Sequence, residues 1–226
     1  MADTDSRKRV SDDLIERYRS IPPATVGHYL AEGFMDTAIR PIFTPSKIVG
    51  RALPVKMPRG DSSLTRPAIN AVQPGDVLIL VQDGSTQVAC WGEMTSLAAK
   101  VRGVAGVIID GAVTDVVEIT DQKVPTYSRA ITALVGRRLD QPGGGVNVPV
   151  SCGGVLVNPG DLVVADENGI VVMSPEVAEE VYPAARASED RAPLTREWLE
   201  RGGNLADLAG KTVADVEAML RSKGWA

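Results

Sequence analysis

Two short apolar runs separated by a helical segment constrain the fold of this chain more than any other feature. Residues 77–81 read VLILV and residues 104–109 read VAGVII, and runs without polar alternation are typical of strands buried on both faces of a sheet. Between them, residues 92–101 carry four apolar side chains at helical spacing: Met94, Leu97, Ala98 and Val101. Strand, helix and strand in this order predict a parallel crossover, and therefore an α/β domain.

The rest of the chain adds helices at both ends and short strands in the C-terminal half. Ser11 is placed to cap a first helix. Further helices are predicted over residues 22–32, 115–121 and 175–188, and strands over 48–55, 124–127 and 131–135. Residues 143–173 alternate short apolar runs with glycine turns, including a hairpin at 166–169, and residues 191–225 form a charged tail with two helical segments. The whole is one mixed α/β domain with helical extensions.

Composition excludes several classes of function. Among 226 residues, 24 Lys and Arg face 29 Asp and Glu, giving a net charge of −5, which argues against a nucleic-acid or anionic-membrane surface. The start of the chain lacks the apolar core of a signal peptide, and no apolar run is long enough to span a bilayer. Cys90 and Cys152 lie in apolar surroundings and read as reduced, buried thiols, with a single disulfide left open. We therefore expect a cytoplasmic protein.

The single histidine, His28, limits the chemistry further. One histidine excludes a two-histidine zinc site and leaves His28 as the only base for a Ser–His or Cys–His system. Its position inside a predicted helix favours a structural role. A metal ion bound by this chain is therefore expected to be held by oxygen, as Mg²⁺ or Mn²⁺ is.

Two segments are candidates for a binding site. Gly92, Glu93, Met94 and Thr95 open a helix directly after a strand, so their free amides suit a carboxylate or phosphate. A second buried strand is expected to end at Asp110, with Asp115 on the turn that follows. Ligands of α/β sheets bind where parallel strands end, which places Asp115 beside Gly92. The alternatives are an ordinary helix start and an Asp115 that only caps a helix; Asp166 and Glu167 are turn residues.

Four stretches together resemble one family. They are WGEM at 91–94, the run from Ala98 to Asp115, PTYSR at 125–129 and PGDLVVADENGIVV at 159–172. In this order and spacing, over residues 21–187, the chain resembles the RraA-like family. That family includes the aldolases acting on 4-hydroxy-4-methyl-2-oxoglutarate and 4-carboxy-4-hydroxy-2-oxoadipate.

The resemblance implies a fold, an assembly and a site. The fold is a swivelling β/β/α sandwich over residues 21–187, with a helical extension at 1–20 and a helical tail at 188–226 that packs on a neighbouring subunit. The assembly is a homotrimer or a dimer of trimers, with the active site between subunits. In that site the turn of Gly92, Glu93, Met94 and Thr95 binds the carboxylate of pyruvate, and Asp115 ligates Mg²⁺ or Mn²⁺.

Two departures from the family pattern affect the site. The aldolases carry an arginine directly before the metal aspartate, where this chain has Thr114, which offers a hydroxyl and no charge. Arg129 and Arg102 are the candidates to replace it. The aldolases also take an acid from a neighbouring subunit; an ungapped match gives Ala192, with Glu189 and Asp190 one turn away.

The expected function is therefore a divalent-metal-dependent lyase on a small 2-oxo acid. It would cleave by retro-aldol reaction to give pyruvate, or decarboxylate oxaloacetate through the same pyruvate enolate. Asp115, Glu93 and Thr114 would take part in catalysis, and Arg129 in substrate binding. The alternatives are a non-catalytic, protein-binding trimer like the ribonuclease E inhibitors, or a family member whose substrate has changed with Thr114.

Overall fold

The computed structural model describes residues 9–82 and 84–225 and places a single large sheet at the centre of the chain. The helices are α1 (Asp12–Tyr18), α2 (Pro23–Val26), α3 (Thr65–Ala71), α4 (Glu93–Val101), α5 (Val116–Gln122), α6 (Pro175–Glu200) and α7 (Val213–Ser222), with a 3₁₀ turn at Leu205–Leu208. The strands are β1 (Arg40–Pro41), β2 (Ile48–Lys56), β3 (Asp76–Val81), β4 (Ala89–Trp91), β5 (Gly106–Val113), β6 (Thr126–Ile131), β7 (Gly145–Val146), β8 (Val150–Cys152), β9 (Val155–Val157), β10 (Leu162–Asp166) and β11 (Gly169–Met173).

The sheet has a parallel centre and antiparallel edges. Its strand order is β1-β6-β5-β3-β2-β10-β11, with β4 paired to β5 and β7 to β2. Strands β2, β3, β5 and β6 are parallel to one another, whereas β10, β11 and β1 pair antiparallel with their neighbours. The predicted parallel crossover from residues 77–81 to the next buried strand is confirmed, and so is the hairpin at 166–169.

Side-chain alternation along the central strands divides the core into two layers. On β3, Ile79 and Val81 face one side with the small β8–β9 hairpin, while Leu78 and Leu80 face the side covered by α3, α4 and α5. Successive residues of a strand point to opposite faces, so two apolar layers arise from one apolar run. The order hairpin, sheet, helices is a β/β/α sandwich, as expected.

Helices α1 and α6 pack against the outer strands β10 and β11. Ser11 caps α1 by accepting a hydrogen bond from the Leu14 amide at 3.1 Å, as predicted. The buried Tyr18 hydroxyl donates to the Ala178 carbonyl of α6 at 2.8 Å, and burial raises the pKa of Tyr18 to about 12. Leu14, Tyr18 and Ala178 share one core cluster with Val164 of β10. The first helix is thus joined to the core of the domain.

Three predicted elements differ from the structure. The helix predicted over 22–32 ends at Val26, and residues 27–30 continue as hydrogen-bonded turns before the left-handed Gly33 (φ +83°). The strand predicted over 131–135 is wrong: β6 ends at Ile131, and Val135 forms only an isolated bridge with Ala89. Helix α6 continues past Ser188 to Glu200, because its last turns pack on α7 through Trp198.

The predicted boundary between the domain and its C-terminal tail, at residues 187/188, therefore falls inside a continuous helix. The three-part domain organisation stays a prediction.

Both cysteines are buried and free, and burial raises the pKa of Cys90 to about 12. Within the described ranges, no helix is both long and apolar enough to cross a membrane.

The apolar stripe predicted on α4 is present but faces outward. Met94, Leu97 and Val101 are 63%, 42% and 81% exposed, while the small Ser96 and Ala99 form the buried side of the helix. Val117 at the start of α5 is also exposed, at 66%. An exposed row of large apolar side chains is unusual on a protein that stays monomeric.

Candidate active site

A cleft opens where strands β4 and β5 end side by side. It has a volume of about 370 Å³ and is lined by Ser62, Thr65, Arg66, Ala89, Cys90, Trp91, Gly92, Glu93, Met94, Thr95, Thr114, Asp115, Val135, Gly136 and Arg138. The structure therefore brings together six of the predicted site residues, from Gly92 to Thr95 and from Thr114 to Asp115. Their backbones are also tied, since the Thr114 amide donates to the Trp91 carbonyl at 3.0 Å.

Asp115 links the two segments through its side chain. Its Oδ2 accepts a hydrogen bond from the Glu93 amide at 2.9 Å, and its Oδ1 accepts one from the Thr114 hydroxyl at 3.1 Å. Asp115 lies at the N-terminus of its own helix α5, yet its side chain makes no capping bond there. The carboxylate instead caps α4, the neighbouring helix. The backbone at Asp115 is left-handed (φ 54°), a conformation that Asp tolerates better than most residues.

Gly92 is required by this close approach. A Cβ atom at position 92 would lie 2.4 Å from Asp115 Oδ2 and 2.9 Å from Thr114 Cγ2. The backbone itself is extended there, with φ −162°, so the requirement comes from space and not from strain. Any larger residue would push the carboxylate away from α4.

Only part of the helix start is available to a ligand. The Gly92 amide donates to Thr95 Oγ1 at 2.9 Å, and that hydroxyl donates back to the Gly92 carbonyl at 2.8 Å. The Glu93 amide is taken by Asp115. The amides of Met94 and Thr95 make no hydrogen bond to any described residue. The anion site predicted over four amides is thus reduced to two.

Arg129 does not line the cleft. The prediction that strand β5 ends at Asp110 is wrong. The strand continues to Val113, and Asp110 is a buried residue within it. Arg129 forms ion pairs with Asp110 and with Asp36, the latter at 2.7 Å. The hydrogen bond to Asp110 raises the pKa of Arg129 further. Asp110 also accepts from the Gly153 amide at 2.7 Å, so the group joins β5, β6 and the β8–β9 turn.

The remaining predicted residues also lie outside the cleft of this chain. Arg102, at the end of α4, donates to Asn70. On α6, Glu189 accepts from the Thr25 hydroxyl and Asp190 pairs with Arg186 at 2.7 Å. His28 follows α2, is exposed, and contacts the Tyr29 ring edge-on. The predicted placement of Glu189 or Asp190 in a neighbouring subunit's site stays a prediction.

Two arginines of the cleft were not predicted. Arg66 belongs to α3, and Arg138 belongs to the loop after β6. Both are exposed, and neither forms a salt bridge with a described residue. Sequence spacing gives no signal for either, because their segments meet only through tertiary folding. In the described part of the chain, no group of three His, Cys, Asp or Glu side chains could enclose a metal ion.

The sequence matches a known family over most of its length. The profile of a family described as RraA-like (Aldolase/RraA) matches residues 9–172. The chain belongs to the RraA-like family. A Methanocaldococcus jannaschii protein, uncharacterized MJ0644, is 37% identical over 172 residues, covering 75% of this chain and 82% of that protein. A Halalkalibacterium halodurans protein, named as a candidate 4-hydroxy-4-methyl-2-oxoglutarate aldolase, is 30% identical over 202 residues, covering 84% and 95%.

Solved structures support the same assignment. Streptomyces coelicolor RraAS2, described as an unusual member of the RNase ES inhibitor RraA family, superposes with a TM-score of 0.73 at 29% identity, covering 83% of this chain and 98% of that one. An uncharacterized Pseudomonas syringae protein gives a TM-score of 0.75 at 23% identity, with 88% and 98% coverage, and supports the fold. The RraA-like family thus includes proteins named as aldolases and proteins named as RNase inhibitors.

Replacement of Arg129 tests its structural role. Arg129→Met should lower the free energy of unfolding by about 3–5 kcal/mol, since it leaves the buried Asp110 carboxylate without its cation. Urea unfolding measures the change, with Arg40→Met, an exposed arginine on the adjacent strand β1, as the control. If Arg129→Met instead left stability unchanged and weakened substrate binding, Arg129 would be a ligand contact.

Proposed function

We propose that this protein is a carbon–carbon lyase that releases pyruvate from a small 2-oxo acid. The observation that carries the proposal is the junction of Asp115 with the start of α4, where a carboxylate and two free amides face one cleft. The names of aldolase relatives at about 30% identity support the same reaction class. Retro-aldol cleavage breaks the C3–C4 bond of the oxo acid and leaves the enolate of pyruvate. Decarboxylation of oxaloacetate passes through the same enolate.

The substrate carboxylate would bind at the amides of Met94 and Thr95. These donors lie in the first turn of a nine-residue helix, where unsatisfied N–H groups and the helix dipole both favour an anion. Thr95 Oγ1 and Asp115 hold Gly92 and Glu93 in the turn. The donors are therefore fixed before the substrate arrives, which avoids an ordering cost during binding.

Asp115 would hold a divalent ion, Mg²⁺ or Mn²⁺. A single carboxylate completed by water and a chelating oxo acid is an ordinary arrangement for Mg²⁺, and Asp115 offers a carboxylate at the edge of the cleft. When bound, the ion would polarise the oxo group and stabilise the enolate charge. Thr114 would orient the carboxylate through its hydrogen bond to Oδ1.

Arg66 and Arg138 would supply the positive charge that Thr114 lacks. Each lines the cleft with no ion pair to a described residue, so each is available for a substrate oxygen. An arginine can bind a carboxylate or an enolate oxygen through two parallel hydrogen bonds. This replaces the earlier candidates Arg129 and Arg102, which are engaged elsewhere.

A protein-binding regulator is the second candidate. The similarity to RraAS2, and Thr114 in place of the aldolase arginine, favour it. Pyruvate formation distinguishes the two, because a regulator should give none with oxaloacetate or 4-hydroxy-4-methyl-2-oxoglutarate.

Asp115→Asn tests the catalytic carboxylate. Asparagine retains an oxygen for the Glu93 amide and tolerates the left-handed backbone, so the fold should persist. Loss of the charge should lower pyruvate formation by about 10²-fold or more, measured with a coupled dehydrogenase in the presence of Mg²⁺. Asp121→Asn, the same change at an exposed position on α5, is the control. Full activity of Asp115→Asn would exclude the proposed role.

Replacement of the cleft arginines tests the charge argument. Arg66→Met and Arg138→Met should each lower kcat/KM by about 10–100-fold, the scale of one hydrogen bond to a charged group. Arg137→Met removes a charge from the same loop without altering the cleft lining, and should have little effect. Equal kinetics for Arg137→Met and Arg138→Met would contradict the assignment.

We propose in addition that the chain assembles as a homotrimer or a dimer of trimers. The outward apolar row of Met94, Leu97, Val101 and Val117 supports this, because burial of such side chains drives association. Light scattering should give the mass of three or six chains, and Val101→Glu should reduce it. Leu156→Glu, the same kind of change at another exposed apolar residue, on β9, is the control. A single-chain mass for the unmodified protein at micromolar concentration would contradict the assembly.

A further inference from the structure

Asp61 is a buried carboxylate that lies beside the cleft without lining it. It is 1% exposed, and burial alone would raise its pKa. Hydrogen bonds from the Ser63 hydroxyl and from the Gln141, Ser63 and Leu139 amides more than offset burial and hold the pKa of Asp61 well below its usual range. A buried carboxylate is costly unless hydrogen bonds compensate for its lost hydration, and here four donors do so.

The donors to Asp61 come from two separate segments. Ser63 is two residues away, and its amide lies 2.8 Å from Oδ1. The Leu139 amide reaches the same oxygen at 3.1 Å, and the Gln141 amide reaches Oδ2 at 2.8 Å. Both belong to the loop of residues 134–141, here named the Arg138 loop. One carboxylate thus joins this loop to residues 60–63.

Further hydrogen bonds extend this junction along both segments. The Ser62 amide donates to the Arg137 carbonyl at 2.9 Å, and the Asp140 amide donates to Ser63 Oγ at 2.9 Å. On the other side, the Gly136 amide donates to the Ala89 carbonyl at 2.8 Å. The backbone is therefore anchored on both sides of Arg138, a residue that lines the cleft.

Apart from these hydrogen bonds and those that Ala89 and Gly60 form with Leu134 and Arg137, little holds the Arg138 loop. Its apolar side chains Leu134, Val135 and Leu139 are 59%, 58% and 50% exposed, so it buries little apolar surface within this chain. Segments with few buried contacts are stable only through their hydrogen bonds and open first. The Asp61 carboxylate supplies two of those bonds directly, to Leu139 and Gln141, and a third through Ser63.

We propose that Asp61 is a positioning residue that holds the Arg138 loop against residues 60–63 and so sets the affinity of the cleft for a carboxylate ligand. The ligand part of this inference depends on the proposed function, through the role of Arg138. Asp61 itself touches no substrate and acts only through the backbone of the loop. Fixing a charged group in its binding orientation is a general source of affinity and rate.

The test compares Asp61→Asn with Asp140→Asn. The first keeps one oxygen but replaces the other with an NH₂ group, which cannot accept from a backbone amide. The second makes the same chemical change at an exposed residue of the same loop. Amide hydrogen exchange followed by mass spectrometry should show residues 134–141 exchanging at least about 10-fold faster in Asp61→Asn, with strand β3 unchanged. Asp140→Asn should behave as the unmodified protein.

Binding of oxalate in the presence of Mg²⁺, measured by calorimetry, provides the second readout. Asp61→Asn should weaken it by the same factor as Arg138→Met, and the double variant should be no weaker, because both changes remove one interaction. Unchanged exchange in residues 134–141 would overturn the proposal. Oxalate binding that is absent from the unmodified protein, or equal in it and in Asp61→Asn, would overturn the ligand-placing role.

A second variant and a separate activity measurement keep the test of Asp61 interpretable. If Asp61→Asn fails to fold by circular dichroism, Ser63→Ala removes one donor to Asp61 and the acceptor of the Asp140 amide, and it should give the same changes at smaller size. Failure of the lyase function is recognised separately, as absence of pyruvate formation by the unmodified protein, whereas exchange and oxalate binding decide the role of Asp61.

Discussion

The hydrogen bond from the Glu93 amide to the Asp115 carboxylate is the contact on which the candidate site depends. It joins the ends of β4 and β5, caps α4 from a neighbouring segment, and leaves the next two amides free. It also explains Gly92, since any Cβ there would meet the carboxylate. Asp115 is therefore both a helix cap and a candidate ligand. The two interpretations that the sequence left as alternatives are compatible, because the helix it caps is α4 and not its own.

Prediction from sequence succeeded where a pattern is local or where one apolar run fixes burial. The strands at 77–81 and 104–109 and the parallel crossover between them follow from runs that only a doubly covered sheet can bury, and the turn at Gly92 follows from its place between strand and helix. Prediction failed where tertiary contacts determine where a helix or strand ends. The segment after Val26 leaves the helix and Gly33 bonds to Val172 of β11, and Asp110 continues β5 and takes Arg129 as its ion partner.

The cleft arginines illustrate why site residues from distant segments cannot be identified from sequence alone. Arg66 and Arg138 are 72 positions apart in the numbering, on α3 and on a loop without regular structure. Their segments are joined by backbone hydrogen bonds between residues 60–62 and Arg137, and by the hydrogen bonds that Asp61 and Ser63 accept. In the role proposed for Asp61, this buried carboxylate contributes to holding one of the two charges at the site. The loss of the family arginine at Thr114 and the placement of Arg138 are, on this interpretation, parts of one rearrangement of positive charge.

The two acids of α6, Glu189 and Asp190, each have a partner within this chain. For Glu189 or Asp190 to serve a neighbouring subunit, each must give up its present partner, Thr25 or Arg186. The Arg186–Asp190 pair is largely exposed, with Asp190 55% accessible, and such pairs contribute about 0–1 kcal/mol. Release of Asp190 therefore costs little compared with a contact to a partly buried cation. The outward apolar row on α4 begins at Met94, which also lines the cleft, so a second chain that covered this row would lie directly beside the site.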